Sequence, residues 1–204
     1  MWREVKQQLN ESKLIGASKR GEFETVKKMV ESERIRVDVK SFFTGRTPLM
    51  HSTINGYENI AKYLVDKGAN VELNDFNDEN TLVLSLKNDR SDSFCKYLLE
   101  FSTNLNCKDE WGRTLLQLSI IKKREKIFYM LLEQKVELNN QDNMGKTPLM
   151  MAAEIGNLNM FKELVSKGAN MNVVNFKDNC RSLTDYAVEN NHPDILNFII
   201  RHQN

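Results

Sequence analysis

Three kinds of side chain in this 204-residue sequence could carry chemistry: histidines, neighbouring carboxylates and cysteines. Imidazole is the usual proton shuttle and metal ligand near neutral pH, and the chain has three, His51, His192 and His202. None stands beside a cysteine or a second histidine at ligand spacing, so no metal site is expected. Asp75, Asp78 and Glu79 cluster at one turn, and Asp109 and Glu110 at another. Paired acids serve acid–base catalysis or calcium binding, but the spacing of a calcium loop is absent, and turn chemistry accounts for both clusters. Cys95, Cys107 and Cys180 form no CxxC pair, and nothing nearby would make a thiolate of any of them. No GxGxxG, Walker-type loop, GxSxG or HExxH is present. The residues therefore predict no enzyme and no cofactor.

Composition narrows the partner. Hydrophobic residues make up 40% and charged residues 28%, as in ordinary folded proteins. The net charge of +1 gives no bulk attraction to nucleic acid or to a membrane surface. No apolar run approaches the ~20 residues of a membrane span, and Met1–Lys6 is charged where a secretory leader would be apolar. An odd, sparse set of cysteines suits a reducing compartment, so a cytoplasmic location is expected.

Whatever the chain does must be positioned by its repeated elements. From Gly145 to Gly156 the sequence writes a bend, a helix start, a tight helix and a helix stop. Thr147 offers a capping hydroxyl, Pro148 suits the first helical position, Ala152 and Ala153 allow a second helix close, and Gly156 permits a left-handed exit. The segment Met160–Val165 and the loop Lys167-Gly168-Ala169-Asn170 follow; Thr47-Pro48-Leu49, Gly56, Ile60–Val65 and Lys67-Gly68-Ala69-Asn70 repeat the pattern. Aligned on the cap, the copies start at Ser12, Thr47, Thr81, Thr114, Thr147 and Ser182, at intervals of 35, 34, 33, 33 and 35. In the third copy Lys87 falls in an alanine slot and Arg90 in the glycine slot; in the fourth Lys123 takes the glycine slot. These two copies are expected to form a soft middle. Trp2, Val5 and Leu9 stand at helical spacing ahead of the first copy, predicting a preceding helical turn, and the loop around Asn175–Arg181 is two residues longer than its counterparts.

This pattern resembles the ankyrin repeat, a turn, two antiparallel helices and an extended connector in about 33 residues. The resemblance covers roughly residues 12–204, and the histidine usual after Thr-Pro-Leu is replaced by Met50 and Met150. It implies an all-α solenoid of about six helix-turn-helix repeats with hairpin tips, in a single domain over residues 1–204. The repeats are expected at about 1–40, 41–74, 75–107, 108–140, 141–175 and 176–204. One hairpin buries too little apolar surface to offset its chain entropy, so the stack has to share a continuous core. His192 matches a histidine that such repeats use as a structural hydrogen-bonder.

In proteins of this kind, the turn tips and the free face of each first helix line a concave groove. Transferred by alignment, the candidate protein-binding residues are Phe43 and Arg46 in the second copy and Asn77 and Asp78 in the third. The fourth copy gives Glu110, Trp111, Arg113 and Ile121, the fifth Met144, Lys146 and Ile155, and the sixth Arg181; Glu154 and Asp178 fall at corresponding places. A turn has no structural need for a tryptophan, and tryptophan is enriched at interface hot spots. Arg46, Arg113, Lys146 and Arg181 share one repeat position, so they should form a row, read either as scaffold or as a basic strip for an acidic partner. The resemblance implies a non-catalytic module that binds a protein partner, acts as a monomer, and takes no nucleic acid, membrane or small molecule. The alternative is an inhibitor, immunity or host-directed effector protein of bacterial or viral origin that blocks a partner's active site, and the Asn/Lys/Ile-rich composition suits an AT-rich genome.

Overall fold

The structure, a computed structural model, describes residues 2–32 and 35–202; the side chains of Trp2, Arg3 and Ser32 lie outside that description. The described residues form twelve helices in six consecutive pairs: α1 (Trp2–Arg20) with α2 (Phe23–Ser32), α3 (Pro48–Ile54) with α4 (Glu58–Asp66), and α5 (Thr81–Lys87) with α6 (Asp92–Glu100). Then come α7 (Leu115–Ile121) with α8 (Glu125–Leu132), α9 (Pro148–Ile155) with α10 (Leu158–Ser166), and α11 (Leu183–Glu189) with α12 (Pro193–His202). They fall into two compact units, Met1–Asn104 and Leu105–Asn204. In the first unit α3 packs between α1 and α5; in the second α9 packs between α7 and α11. Among the described residues the only β-pairing consists of isolated bridges, Lys108 with Thr114 and Asn175 with Arg181, each closing a tip.

The caps explain the pairs. Thr47, Thr114, Thr147 and Ser182 are extended N-caps whose side chains accept from the backbone N–H three residues on. Each satisfies a donor that the first helical turn would leave orphaned. Pro48 and Pro148 occupy the first helical turn, as expected. Gly156 takes the left-handed exit at φ 74°, and Ala152 and Ala153 are fully buried. The core is a stack of such residues: Leu14, Leu49, Ile60, Leu64 and Leu98 in the first unit, and Leu115, Leu131, Leu149, Phe161 and Ile195 in the second.

Three sequence expectations are corrected. Ser12 caps nothing: it lies inside α1, which runs from Trp2 to Arg20. No tip stands before Ser12: residues 7–11 contain no glycine, aspartate or proline to bend the chain, so the helix runs on through it. The predicted preceding turn is thus part of one long helix, with Val5 and Leu9 half exposed on it; Trp2's part in that face lies outside the described side chains. In the third copy the cap is Asn80, which accepts from the Val83 N–H at 3.0 Å, and Thr81 is already helical. The shift of one residue carries through that helix. Its left-handed exit is Asp89 (φ 55°), not Arg90, and Leu86 rather than Lys87 takes the alanine slot.

Candidate protein-binding groove

The tips and helix ends carry the side chains that the helices do not use for themselves. Each tip is closed by its first residue. Asp75, Asp109 and Asp142 each accept two N–H groups of their own turn on Oδ1, at 2.8–3.1 Å, which fixes the bend and aims the second oxygen elsewhere. Adjacent tips are also laced together: the Phe76 N–H donates to the Thr44 carbonyl at 3.0 Å, and the Asn143 N–H donates to the Trp111 carbonyl at 2.9 Å.

In the second unit these tips and helix ends enclose a groove of about 360 Å³, lined by Arg113, Ile121, Asp142, Met144, Lys146, Met151, Glu154, Ile155 and Asp178. Its floor is apolar, from Ile121, Met144, Met151 and Ile155. Trp111 stands at the tip two residues from Arg113, 50% exposed, with the Arg113 guanidinium 4.4 Å from its ring centroid. Arg113 is itself held by Asp109, Nε to Oδ2 at 2.8 Å. The Lys146 ammonium lies 2.7 and 2.8 Å from the two oxygens of Glu154. Tyr186 is buried behind the groove, donates to Asp178 at 2.9 Å and accepts from Asn175 at 2.9 Å. Burial above all, with the Asp178 carboxylate assisting, pushes its phenol up to about 12.

The groove thus gathers the predicted Arg113, Ile121, Met144, Lys146 and Ile155. Glu110 is exposed at the Trp111 tip, its carbonyl accepting from the Asn143 side chain at 3.2 Å. Arg181 stands outside the lining, paired with Asp178 at 3.1 Å and Glu189 at 3.0 Å. In the first unit Phe43 is 87% exposed and packs edge-to-face on Phe42, with centroids 5.4 Å apart. Asn77 and Asp78 are exposed at the next tip, and Arg46 is tied to Asp75 at 2.9 Å.

The row of cations departs from its sequence reading at one copy, and its other members fit the scaffold alternative of that reading. The third copy breaks it, because Glu79 occupies that position and pairs with Lys87. The members that remain are neutralised by Asp75, Asp109, Glu154, and Asp178 with Glu189. They are scaffold ion pairs rather than a free basic strip. Among the described residues no group of histidine, cysteine or carboxylate side chains could hold a metal ion. No described helix is long and apolar enough to cross a membrane.

A family model for ankyrin repeats in three copies matches residues 3–75 and 124–204. The chain belongs to the ankyrin repeat family. Ankyrin repeats are protein-interaction modules, and the family is generally non-catalytic. A putative ankyrin repeat protein of Rickettsia bellii is 30% identical over 168 residues, covering 81% of this chain and 23% of that protein. Neurogenic locus notch homolog protein 2 of Homo sapiens is 27% identical over 174 residues, covering 77% of this chain and 7% of that protein. The chain therefore spans less than a quarter of the length of these relatives. Among solved structures, a chain in the complex of the Bd0816 predatory endopeptidase from Bdellovibrio bacteriovorus with immunity protein Bd3460 aligns at a TM-score of 0.76. It is 25% identical, over 92% of this chain and 96% of that one.

The ankyrin histidine positions can now be placed. His192 is structural, with Nε2 3.1 Å from the Glu154 carbonyl of the preceding repeat. The position after Thr-Pro-Leu is filled in different ways. Met50 uses its sulfur to accept from the Thr47 N–H at 3.4 Å. Gln117 accepts from the Thr114 N–H at 2.8 Å and donates to the Lys146 carbonyl of the next repeat at 2.7 Å. In the fourth repeat this position thus makes a hydrogen bond between repeats through an amide. Asp142 and Met151 line the groove but escaped sequence reasoning. Asp142 was legible as a recurrent tip residue, after Asp75 and Asp109, and Met151 as the fourth residue beyond a cap.

Proposed function

We propose that the chain binds a protein partner through the groove of the second unit and the Trp111 tip beside it. Trp111 carries the reading. Half of a large aromatic surface is left in water, and the ring is held in place by a guanidinium that is itself anchored to a carboxylate. Such a ring loses little freedom on binding, and tryptophan and arginine are the residue types that dominate interface energetics. The apolar floor beside it extends the contact. In this reading the chain acts as a monomer in a reducing cytoplasm, without catalysis and without a bound small molecule.

The test is affinity capture with wild type beside Trp111→Ala, with circular dichroism to verify that the variant keeps its helices. A partner held by wild type and lost by the variant supports the groove; equal recovery moves the site elsewhere on the molecule. An inhibitory role is the second reading, suggested by the solved complex of an endopeptidase with an immunity protein. In that case the captured partner would be an enzyme, and its activity would fall in proportion to the bound fraction.

A further inference from the structure

We propose that the second-unit groove is a socket for a lysine or arginine side chain of the protein partner, an inference that rests on the protein-binding reading above. The observation is the second oxygen of Asp142. At two other tips that oxygen is taken, in one case by the preceding repeat's arginine (Arg46 Nε 2.9 Å from Asp75 Oδ2) and in the other by the turn's own (Arg113 Nε 2.8 Å from Asp109 Oδ2), which commits Arg113, the preceding repeat's cation for Asp142, to Asp109. In the fifth repeat the turn's cation is Lys146, and its ammonium is committed to Glu154 at 2.7 and 2.8 Å. Asp142 Oδ1 still accepts from the Met144 and Lys146 N–H groups, at 2.9 and 2.8 Å. No side chain among the described residues bonds Oδ2, although Asp142 is only 7% exposed and lines the groove.

The other charges lining the groove have side-chain partners: Arg113 is held by Asp109, Lys146 by Glu154, and Asp178 by Arg181, which it shares with Glu189. Asp142 alone among the lining charges has its outer oxygen without a side-chain partner, beside the apolar residues of the groove. Removing a charge from water is costly unless an opposite charge meets it. Lysine and arginine combine the two features this site lacks, an aliphatic stem and a cationic head. The stem would lie along Met144, Met151 and Ile155, and the head would reach Asp142 Oδ2. The volume of about 360 Å³ is near the small end of ligand pockets, suited to one long side chain rather than a helix or strand. An acidic side chain would meet like charge, and an aromatic one would bury the carboxylate without a partner.

The test uses methyl-labelled full chain and three probes: N-acetyl-lysine methylamide, N-acetyl-arginine methylamide and the uncharged N-acetyl-norleucine methylamide. Titrating the two cationic probes should shift the methyl signals of Met144, Met151, Ile121 and Ile155 saturably, and norleucine should bind about tenfold more weakly or worse. Asp142→Asn keeps an oxygen for the turn but loses the charge, and it should weaken the lysine probe about tenfold. Lys146→Arg is the second variant. It should place a guanidinium on Asp142 as Arg113 does on Asp109, filling the socket from within and abolishing the shifts with the carboxylate still present. Equal response to norleucine, unchanged binding in Asp142→Asn and Lys146→Arg, or no shift up to the probes' solubility would each overturn the socket. Partner capture that still depends on Trp111 would then confine the failure to this inference and leave the protein-binding reading standing.

Discussion

The units 2–104 and 105–202 each stack three pairs of the same repeat, and each buries a tip aspartate against an arginine, Asp75 with Arg46 and Asp109 with Arg113. They differ in the histidine of the first helix and in the depth of the ion pair between tip and helix end. His51 is 9% exposed with Nε2 buried and no hydrogen-bond partner among the described residues, and Glu79 is fully buried beside Lys87. In the second unit the place of His51 is taken by Met151, and the ion pair is Lys146 with Glu154, the same two positions with the charges exchanged and both side chains partly in water. Its buried polar link is the neutral amide of Gln117. Repeats three, five and six carry opposite charges at the tip and helix end, with the signs reversed in the third, whereas repeats two and four have Ile54 and Ile121 at the helix end and pair the tip arginine with a tip aspartate instead. What differs is depth, and depth decides whether a charge pair matters to stability or stays available to a partner. Sensitivity to charge and pH should accordingly concentrate in the first unit, and recognition in the second.

The largest effect is expected from Glu79→Ala. It leaves the Lys87 ammonium, only 18% exposed, without that carboxylate. Breaking a buried pair from one side costs about 3 kcal/mol or more. Urea unfolding followed by circular dichroism measures the loss, and hydrogen exchange should place it in α5 and α6. A cost below about 1 kcal/mol would put this pair in the class of surface bridges and remove the contrast between the units.

The next effect is a pH dependence that belongs to the first unit. Burial first, then the charges of Arg46 and Lys19, lower His51 from 6.5 to about 4. The unfolded chain therefore takes up this proton as pH falls through the ordinary imidazole range, while the folded chain refuses it until about pH 4. Stability from this group is complete above that range and is lost as pH falls towards 4, with about 2 kcal/mol gone by pH 5. His51→Met, copying Met151, should abolish the slope and raise the thermal midpoint at pH 5. If the variant keeps the wild-type pH profile, His51 is not its source.

The contrast in depth is also where sequence reading stopped. Helix pairs and most caps were legible because their determinants are local: a hydroxyl, a proline and a left-handed exit within a dozen residues. The third repeat was misread by one position because Asn80 and Thr81 are both good caps; the tip Asp75–Glu79, equal in length to Asp109–Arg113 and Asp142–Lys146, decides for Asn80. Composition shows that Glu79 and Lys87 carry charge but not that they lie inside. The candidate site was half legible for the same reason. Arg113 with Ile121, and Lys146 with the end of its helix, share a fixed spacing, so alignment gathered them. Asp142 had a sufficient local explanation as a turn residue, and its spare oxygen depends on the direction taken by Lys146, which no spacing rule supplies. The soft middle expected for repeats three and four rests on this ground too, since Asp89 and Lys123 hold left-handed backbone without glycine. Faster exchange in α5–α8 than in α3, α4, α9 and α10 would bear it out.

A smaller effect checks that the two units differ in charge placement and not in backbone tolerance. Gly56 (φ 80°) and Gly156 (φ 74°) hold equivalent left-handed exits. A Cβ at Gly156 would lie 2.3 Å from the His192 ring, and one at Gly56 would lie 2.2 Å from the Arg90 guanidinium. Alanine at either position should cost about 1–2 kcal/mol from the backbone alone, with the rigid His192 ring making Gly156→Ala the worse of the two. A Gly56→Ala cost far above that of Gly156→Ala would mean that the first unit is fragile for reasons other than its buried charges.

The smallest effect is the most discriminating. Lys146→Ala removes the same kind of pair as Glu79→Ala, but Glu154 is 35% exposed and can return to water. The loss should be about 0.5 kcal/mol, within the range of exposed bridges. The charge balance of the groove changes far more than its stability. With the ammonium gone, Glu154 joins Asp142 as a second uncompensated carboxylate, and the lysine probe should bind a few-fold more tightly, an enhancement that added salt screens away. Equal stability losses in Glu79→Ala and Lys146→Ala would erase the difference in depth. A stability loss confined to the first, with a binding change confined to the second, would show one repeat position serving the fold in one unit and recognition in the other.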